Sequence, residues 1–232
     1  MVIAHRGAWK KQNLPENSIA SLKEAIRLGC HGSEFDVHMT KDNVLVVNHD
    51  ADFQGLHIEQ STYAELLQKK LSNGESIPTA EAYIKEGIKQ KGTRLVFEIK
   101  PTKTGKAGDI ALTDACVAMV KKLKADSWVD YISFSWDTML RLREIAPKAP
   151  LAKLPGEPSQ EELKAANMSG ADYHYRVYQK GEWFKKAKEL GLTMNAWTVN
   201  NEAEMKWLLD NKVEFVTTNE PELLFEVIKN HK

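Results

Sequence analysis

Ser33-Glu34-Phe35-Asp36-Val37-His38, followed after Met39 by Thr40-Lys41-Asp42-Asn43 and then by Val44-Leu45-Val46-Val47-Asn48-His49, is the stretch that decides the fold. Both outer runs read as strands. The four residues Thr40 to Asn43 are far too few for a parallel crossover, so the second run is a hairpin return of the first. With that return set aside, β-type runs alternate with helical patterns along the whole chain. Strands are predicted at Val2 to His5, Ser33 to His38, Arg94 to Ile99, Tyr131 to Ser135, Pro150 to Lys153, Ala171 to Tyr175, Met194 to Val199 and Phe215 to Thr218. Eight strand–helix units without a linker or low-complexity break predict one α/β domain over residues 1–232. Its architecture is a (β/α)8 TIM barrel with a β-hairpin after the second barrel strand. An open doubly wound sheet is the competing topology. It usually announces itself by G-x-G-x-x-G after the first strand, where this chain has His5-Arg6-Gly7-Ala8-Trp9.

Helix punctuation supports the pattern. Asn17 is placed to cap a helix from Ser18 to Leu28, with Ile19, Leu22 and Ile26 on one face and Gly29 at the exit. Thr62-x-x-Glu65 and Ser159-x-x-Glu162 fit capping boxes. Trp183, Phe184, Ala187 and Leu190 form an apolar stripe that stops at Gly191, and Pro147 ends a helix begun near Asp137.

Lys and Arg together number 32, as do Asp and Glu, so no long-range field gathers nucleic acid or an anionic membrane. The expected partner is a small molecule bound by a local cluster. Cys30 and Cys116 have no metal-knuckle spacing and read as buried thiols. Met1-Val2-Ile3-Ala4 already reads as the first strand and no apolar run reaches membrane-spanning length. The expectation is a soluble, cytoplasmic chain without a transmembrane segment.

Alternation along a strand points Glu34 and Asp36 the same way, and likewise Glu98 and Lys100. A two-residue Asp42-Asn43 turn would set Lys41 opposite Val44 and Asp36 opposite His49. His5-Arg6, Glu34/Asp36 and Glu98/Lys100 all fall at C-terminal strand ends, where barrels of this kind do chemistry. Three carboxylates at one mouth repel unless something positive stands among them. A divalent metal ion answers that, and an all-oxygen set favours Mg²⁺ or Ca²⁺ over zinc. Arg6 offers a planar fork and Lys100 a point charge to a phosphate. His5 and His49 form a natural acid–base pair. Taken singly these charges have ordinary readings as solvated strand residues. Parallel barrel strands are covered on both faces, however, so charges inside Ser33 to His38 and Leu95 to Lys100 lack a solvated face. His31, His38, His57, His174 and His231 are read as structural.

The chain resembles the glycerophosphodiester phosphodiesterases. The likeness lies in His5-Arg6-Gly7, Pro15-Glu16-Asn17-Ser18, Gly32-Ser33-Glu34-Phe35-Asp36-Val37, Thr40-Lys41-Asp42, Val46-Val47-Asn48-His49-Asp50, Ile77-Pro78-Thr79, Phe97-Glu98-Ile99-Lys100 and Asn195-Ala196-Trp197-Thr198-Val199-Asn200, whose order and spacing together are specific. The resemblance implies a (β/α)8 barrel that hydrolyses glycerophosphodiesters to glycerol 3-phosphate and an alcohol with a divalent metal. It implies Glu34, Asp36 and Glu98 as metal ligands, His5 and His49 as acid and base, Arg6 and Lys100 as phosphate binders, and Trp197 as a pocket wall. Two stretches depart from the family pattern. Ala51-Asp52-Phe53-Gln54-Gly55 follows His49-Asp50, and Thr217-Thr218-Asn219-Glu220-Pro221 stands where Ile-Thr-Asp-x-Pro is frequent. The alternatives are a lysophospholipase D-like enzyme on a lipid diester, another metal-dependent barrel enzyme such as a sugar isomerase, and a non-catalytic ligand-binding barrel.

Overall fold

The computed structural model describes residues 1–155, 158–180 and 182–231. In chain order they form β1 (Val2–Ala4), α1 (Ile19–Leu28), β2 (Gly32–Met39), β3 (Leu45–Val47), β4 (Asp52–Phe53), β5 (Leu56–His57), α2 (Tyr63–Leu66), α3 (Ala80–Gly87), β6 (Arg94–Ile99), α4 (Lys106–Lys122), β7 (Val129–Ser133) and α5 (Trp136–Ile145). They continue with β8 (Leu151–Lys153), α6 (Gln160–Ala165), β9 (Gly170–His174), α7 (Tyr175–Tyr178), α8 (Trp183–Leu190), β10 (Thr193–Trp197), α9 (Glu202–Asp210), β11 (Phe215–Thr218) and α10 (Pro221–Asn230). β1 pairs in parallel with β11 on one side and β2 on the other, and the ring runs β1-β2-β6-β7-β8-β9-β10-β11. The closed barrel is the predicted one.

The strand registers fix which side chains share a height. Moving one strand across and one residue up at each step, Thr217, Ala4, Glu34, Phe97, Ile132, Lys153, Asp172 and Ala196 are level, and the next step returns to Thr217. Alternate strands point inward, so Glu34, Ile132, Asp172 and Thr217 make one interior layer. By the same count His5, Glu98, Leu154 and Trp197 form the layer above, and Ile3, Val96, Ala152 and Asn195 the layer below. Ile3 and Val96 of the lower layer, Ile132 of the middle one and Leu154 of the upper one pack together as an apolar group through the interior. Outside the barrel, Phe35 stacks on Tyr83 (4.4 Å) and packs on Phe97 (4.7 Å), which meets Tyr131 (5.6 Å). This aromatic row joins three strands to α3. Cys30 and Cys116 are buried free thiols, as expected.

Three local expectations are corrected. The hairpin pairs Val37 with Val47, His38 with Val46 and Met39 with Leu45, so the register differs by one residue and Asp36 faces Asn48 rather than His49. The turn has three residues. Thr40 N–H donates to the Val44 carbonyl (2.9 Å), Thr40 Oγ1 accepts from Val44 N–H (2.9 Å) and donates to Asp42 Oδ1 (2.6 Å), and only Asn43 has positive φ (61°). Asp42, engaged by Thr40 and by Tyr63 N–H (2.9 Å), sits outside the conformation a two-residue turn of that kind needs. Second, Ser18 and not Asn17 caps α1: its side chain accepts from Ser21 N–H, and α1 begins at Ile19. Third, β7 lies at Val129–Ser133, because Ser135 caps α5 instead of extending the strand. The caps at Thr62 and Ser159 and the left-handed exit at Gly191 are as expected.

The departing segment after His49-Asp50 folds as the small β4–β5 hairpin. Its Phe53 joins Val46, Ile58, Leu66 and Ile77 in a separate hydrophobic cluster beside the barrel mouth. Among the described residues no helix is long and apolar enough to cross a membrane.

Phe35 is fully buried between two aromatic rings, so Phe35→Ala leaves a cavity costing about 3–5 kcal/mol. Urea denaturation should show that loss as a lowered midpoint with unchanged slope.

Candidate active site

The site begins with a backbone reversal. β1 stops at Ala4, and His5-Arg6-Gly7 turns across the start of α1 with Arg6 at φ 56° and Gly7 at φ 80°. A Cβ on Gly7 would stand 2.4 Å from Ser21 Oγ, so only glycine lets the turn lie against the helix. Arg6 held this way aims its own N–H at Glu34 Oε2 (2.9 Å), while Ser21 Oγ donates to the Arg6 carbonyl (3.0 Å). Asn17, itself at φ 55°, donates from N–H to that carbonyl (2.9 Å) and from Nδ2 to Asp36 Oδ2 (2.8 Å), and its Oδ1 accepts from Asp36 N–H (3.3 Å). Asparagine tolerates this conformation better than most residues. Freed from capping, it clamps a carboxylate instead.

Glu34, Asp36 and Glu98 are buried, at 3%, 1% and 7% exposure, and one oxygen of each falls within 4.8 Å of the others. Lys100 Nζ stands 3.2 Å from Asp36 Oδ1 and 2.8 Å from Glu98 Oε1. Arg6 Nε is 3.8 Å from Asp36 Oδ2, while its Nη1 donates to Glu16 Oε1 (2.8 Å). Burial drives the Glu34 carboxyl well above the usual carboxylate range, and the charges of Asp36 and Glu98 add to the shift. Glu98 is pushed up to about 8, first by burial and then by Asp36. Burial also pushes Asp36 upward, but Lys100, His49, Asn17 and Arg6 outweigh it and hold that carboxyl low. One lysine and a shared arginine leave three carboxylates under-compensated. Glu34 Oε1, buried, has no hydrogen-bond partner among the described residues. An unpartnered oxygen in a hard-donor cluster fits a divalent cation.

His5 Nδ1 lies 2.8 Å from Asn219 Oδ1 and its Nε2 lies 4.0 Å from Glu34 Oε2. An amide oxygen only accepts, so Nδ1 carries the proton and Nε2 presents its lone pair. Burial first, then the Arg6 charge, lower the His5 pKa to about 4. His49 is reached by a loop rather than by strand pairing: Asn48 N–H donates to the Asp36 carbonyl (3.0 Å), the His38 ring bonds the His49 carbonyl (3.1 Å), and His49 Nδ1 meets Asp50 Oδ1 at 2.7 Å. His38, read as structural, therefore supports His49. Both His5 and His49 line one cleft of about 170 Å³, with Arg6, Glu34, Glu98, Lys100 and Trp197 also on its walls. Trp197 Nε1 donates to the Asp172 carbonyl (2.8 Å), and the ring meets Phe134 edge-on at 6.0 Å.

The structure thus brings His5, Arg6, Glu34, Asp36, Glu98, Lys100, His49 and Trp197 to one mouth. Sequence reasoning missed the partners Glu16, Asn17, Asn219 and Asp172. Asn219 stands in one of the two departures from the family pattern, and its amide rather than a carboxylate faces His5.

Comparison with known proteins adds three findings. The model of the glycerophosphoryl diester phosphodiesterase family matches residues 5–223. A crystal structure of a glycerophosphodiester phosphodiesterase from Parabacteroides distasonis is 44% identical, covers 99% of this chain and 96% of its own, and superposes with a TM-score of 0.95. A glycerophosphodiester phosphodiesterase of Caldanaerobacter subterraneus is 29% identical over 99% of this chain and 98% of its own.

Protons on Glu34 and Glu98 compete with a cation. A carboxyl whose folded pKa is raised stabilises the fold below its unfolded pKa, and that contribution fades as pH rises through the folded value, about 8 for Glu98. In chelator the cluster's contribution should therefore fall from about pH 5 to about pH 8, and the melting temperature gained on adding Mg²⁺ or Ca²⁺ should grow over the same interval. Thermal denaturation with each ion and with EDTA checks this, and Glu34→Gln should abolish the gain.

Proposed function

The chain belongs to the glycerophosphoryl diester phosphodiesterase family, and on that premise we propose that it is a single-domain enzyme hydrolysing glycerophosphodiesters to glycerol 3-phosphate and an alcohol. The carrying observation is the convergence of three buried carboxylates, two imidazoles, an arginine and a lysine on one cleft at the C-terminal end of the barrel. A small-molecule substrate fits the cleft's size.

Glu34, Asp36 and Glu98 would hold a divalent ion, Mg²⁺ or Ca²⁺, which supplies positive charge to phosphate oxygens where negative charge builds up. Arg6, braced by Glu16 and by its own left-handed backbone, presents its guanidinium at the same mouth and orients the diester. Lys100 offsets charge between Asp36 and Glu98 and stands ready for a phosphate oxygen. His5, neutral at physiological pH with Nδ1–H on Asn219, accepts a proton at Nε2 from the attacking oxygen. His49, steadied by Asp50 and His38, gives a proton to the departing alcohol oxygen. Trp197, Phe134, Leu154 and Ile132 wall the opposite side and exclude water from the reacting bond.

Assays on a panel of glycerophosphodiesters with Mg²⁺, Ca²⁺, Mn²⁺ and EDTA test the reading. Release of glycerol 3-phosphate from glycerophosphocholine without detergent is expected, and activity confined to lysophospholipid micelles would replace it by the lipid-diester reading. His5→Ala and His49→Ala should each lower kcat by about 10²–10⁴-fold with the fold intact by circular dichroism; near-wild-type turnover in either removes that residue's role.

The Asn219 contact carries a pH signature. A base whose pKa lies near 4 is mostly neutral from about pH 5 upward, so with metal at saturation the acid limb of kcat/KM should fall below the ordinary histidine range. Asn219→Asp places an anion on His5 Nδ1, raises its pKa and should move that limb upward. An unmoved limb would remove His5 as the group titrating there.

A further inference from the structure

The interior layer that carries Glu34 also carries Asp172, and the two strands involved, β2 and β9, stand on opposite sides of the eight-stranded ring. Asp172 lines the same cleft as His5, Glu34 and Trp197. It is 2% exposed, and its Oδ1 has no hydrogen-bond partner among the described residues. Around it the cleft wall is Ile132, Leu154, Phe134 and Trp197, and its polar neighbours among the described residues include Asn195, its register partner on β10 in the layer below, and Thr217 in its own layer. Those two bond each other at 2.9 and 3.1 Å. A carboxylate oxygen buried in such a place without a donor costs free energy, and the cleft is where a donor can arrive.

The chemistry of that donor is constrained. A phosphate group offers acceptors and would repel Asp172, so the phosphate belongs on the side of Arg6 and Lys100. A hydroxyl on a short carbon skeleton suits the far side, since it donates to the Asp172 carboxyl while its carbons pack on Trp197 and Leu154. We propose that Asp172 is a specificity-determining residue that binds a hydroxyl of the substrate's glycerol moiety and so orients the diester across the cleft. The inference rests on the glycerophosphodiester reading and assigns which wall takes which end. Burial raises the Asp172 pKa to about 7, with Asn195 opposing the shift; a hydroxyl can donate to the carboxylate or accept from the acid, so either form serves.

Asp172 and Ile132 also wall a second cavity below the layer, towards the barrel foot. A purely structural Asp172 turned to that cavity would not distinguish ligands by their hydroxyl groups. Calorimetric titration of the full chain in Mg²⁺ with glycerol 3-phosphate and with propyl phosphate, which has the same skeleton without hydroxyls, separates the two. The wild-type protein should prefer glycerol 3-phosphate by roughly 10- to 100-fold. Asp172→Ala should bring the two affinities within about threefold of each other, leaving propyl phosphate little changed, and the near-isosteric Asp172→Asn should fall between. The Asn variant carries the test if the Ala variant fails to fold. No wild-type preference, a preference kept in both variants, or equal weakening towards both ligands overturns the proposal. A preference without glycerophosphodiester hydrolysis under any metal would leave the subsite standing and defeat the reaction; hydrolysis with unaltered kcat/KM in Asp172→Ala would do the reverse.

Discussion

Burying three carboxylates within 4.8 Å of one another is the constraint on which the rest of this structure depends. Taken out of water together, they raise one another's proton affinity, and Glu34 and Glu98 show that pressure while Asp36 escapes it through Lys100 and Asn17. The fold answers with fixed groups around them. Arg6 is turned into left-handed backbone so that its N–H reaches Glu34, Gly7 makes room for α1 to close behind it, and Asn17 gives both ends of its amide to Asp36. Each device is strained or specialised locally, and each gains its sense from the acids it serves.

Barrel closure then divides the mouth into two unlike halves. Strands β1, β2 and β6 deliver His5, Glu34, Asp36 and Glu98, whereas β7 to β11 deliver Ile132, Leu154, Asp172, Trp197 and Thr217. Because successive strands step by one residue around the ring, residues far apart in the chain reach a common height, and a charged half faces an apolar one across a narrow cleft. A glycerophosphodiester, with an anionic phosphate beside an uncharged glycerol end, suits that asymmetry.

Several of these features were legible beforehand because they obey local rules. Alternation placed Glu34 with Asp36, and the Thr62 and Ser159 boxes marked helix starts. The criterion that singled out Glu34, an acid inside a covered strand, applied equally to Asp172 within Ala171 to Tyr175, so that residue was within reach. Others were not. The hairpin register turned on whether the loop held two residues or three, which Thr40 and Asp42 decided through hydrogen bonds that no spacing rule displays. Asn17 and Ser18 both suit a cap, and only the position of Asp36 shows which one was free to leave it.

What the sequence by itself determined is the periodic part: eight strand–helix units, the hairpin return, and acids and histidines at strand ends, since these follow from side-chain geometry over a few neighbouring residues. Only the tertiary structure decided who meets whom. The pairing of His5 with Asn219, 214 residues away, and the seat of Asp172 opposite Glu34 are set by shear and closure of the barrel. Those are properties of the whole ring, and no single strand contains them.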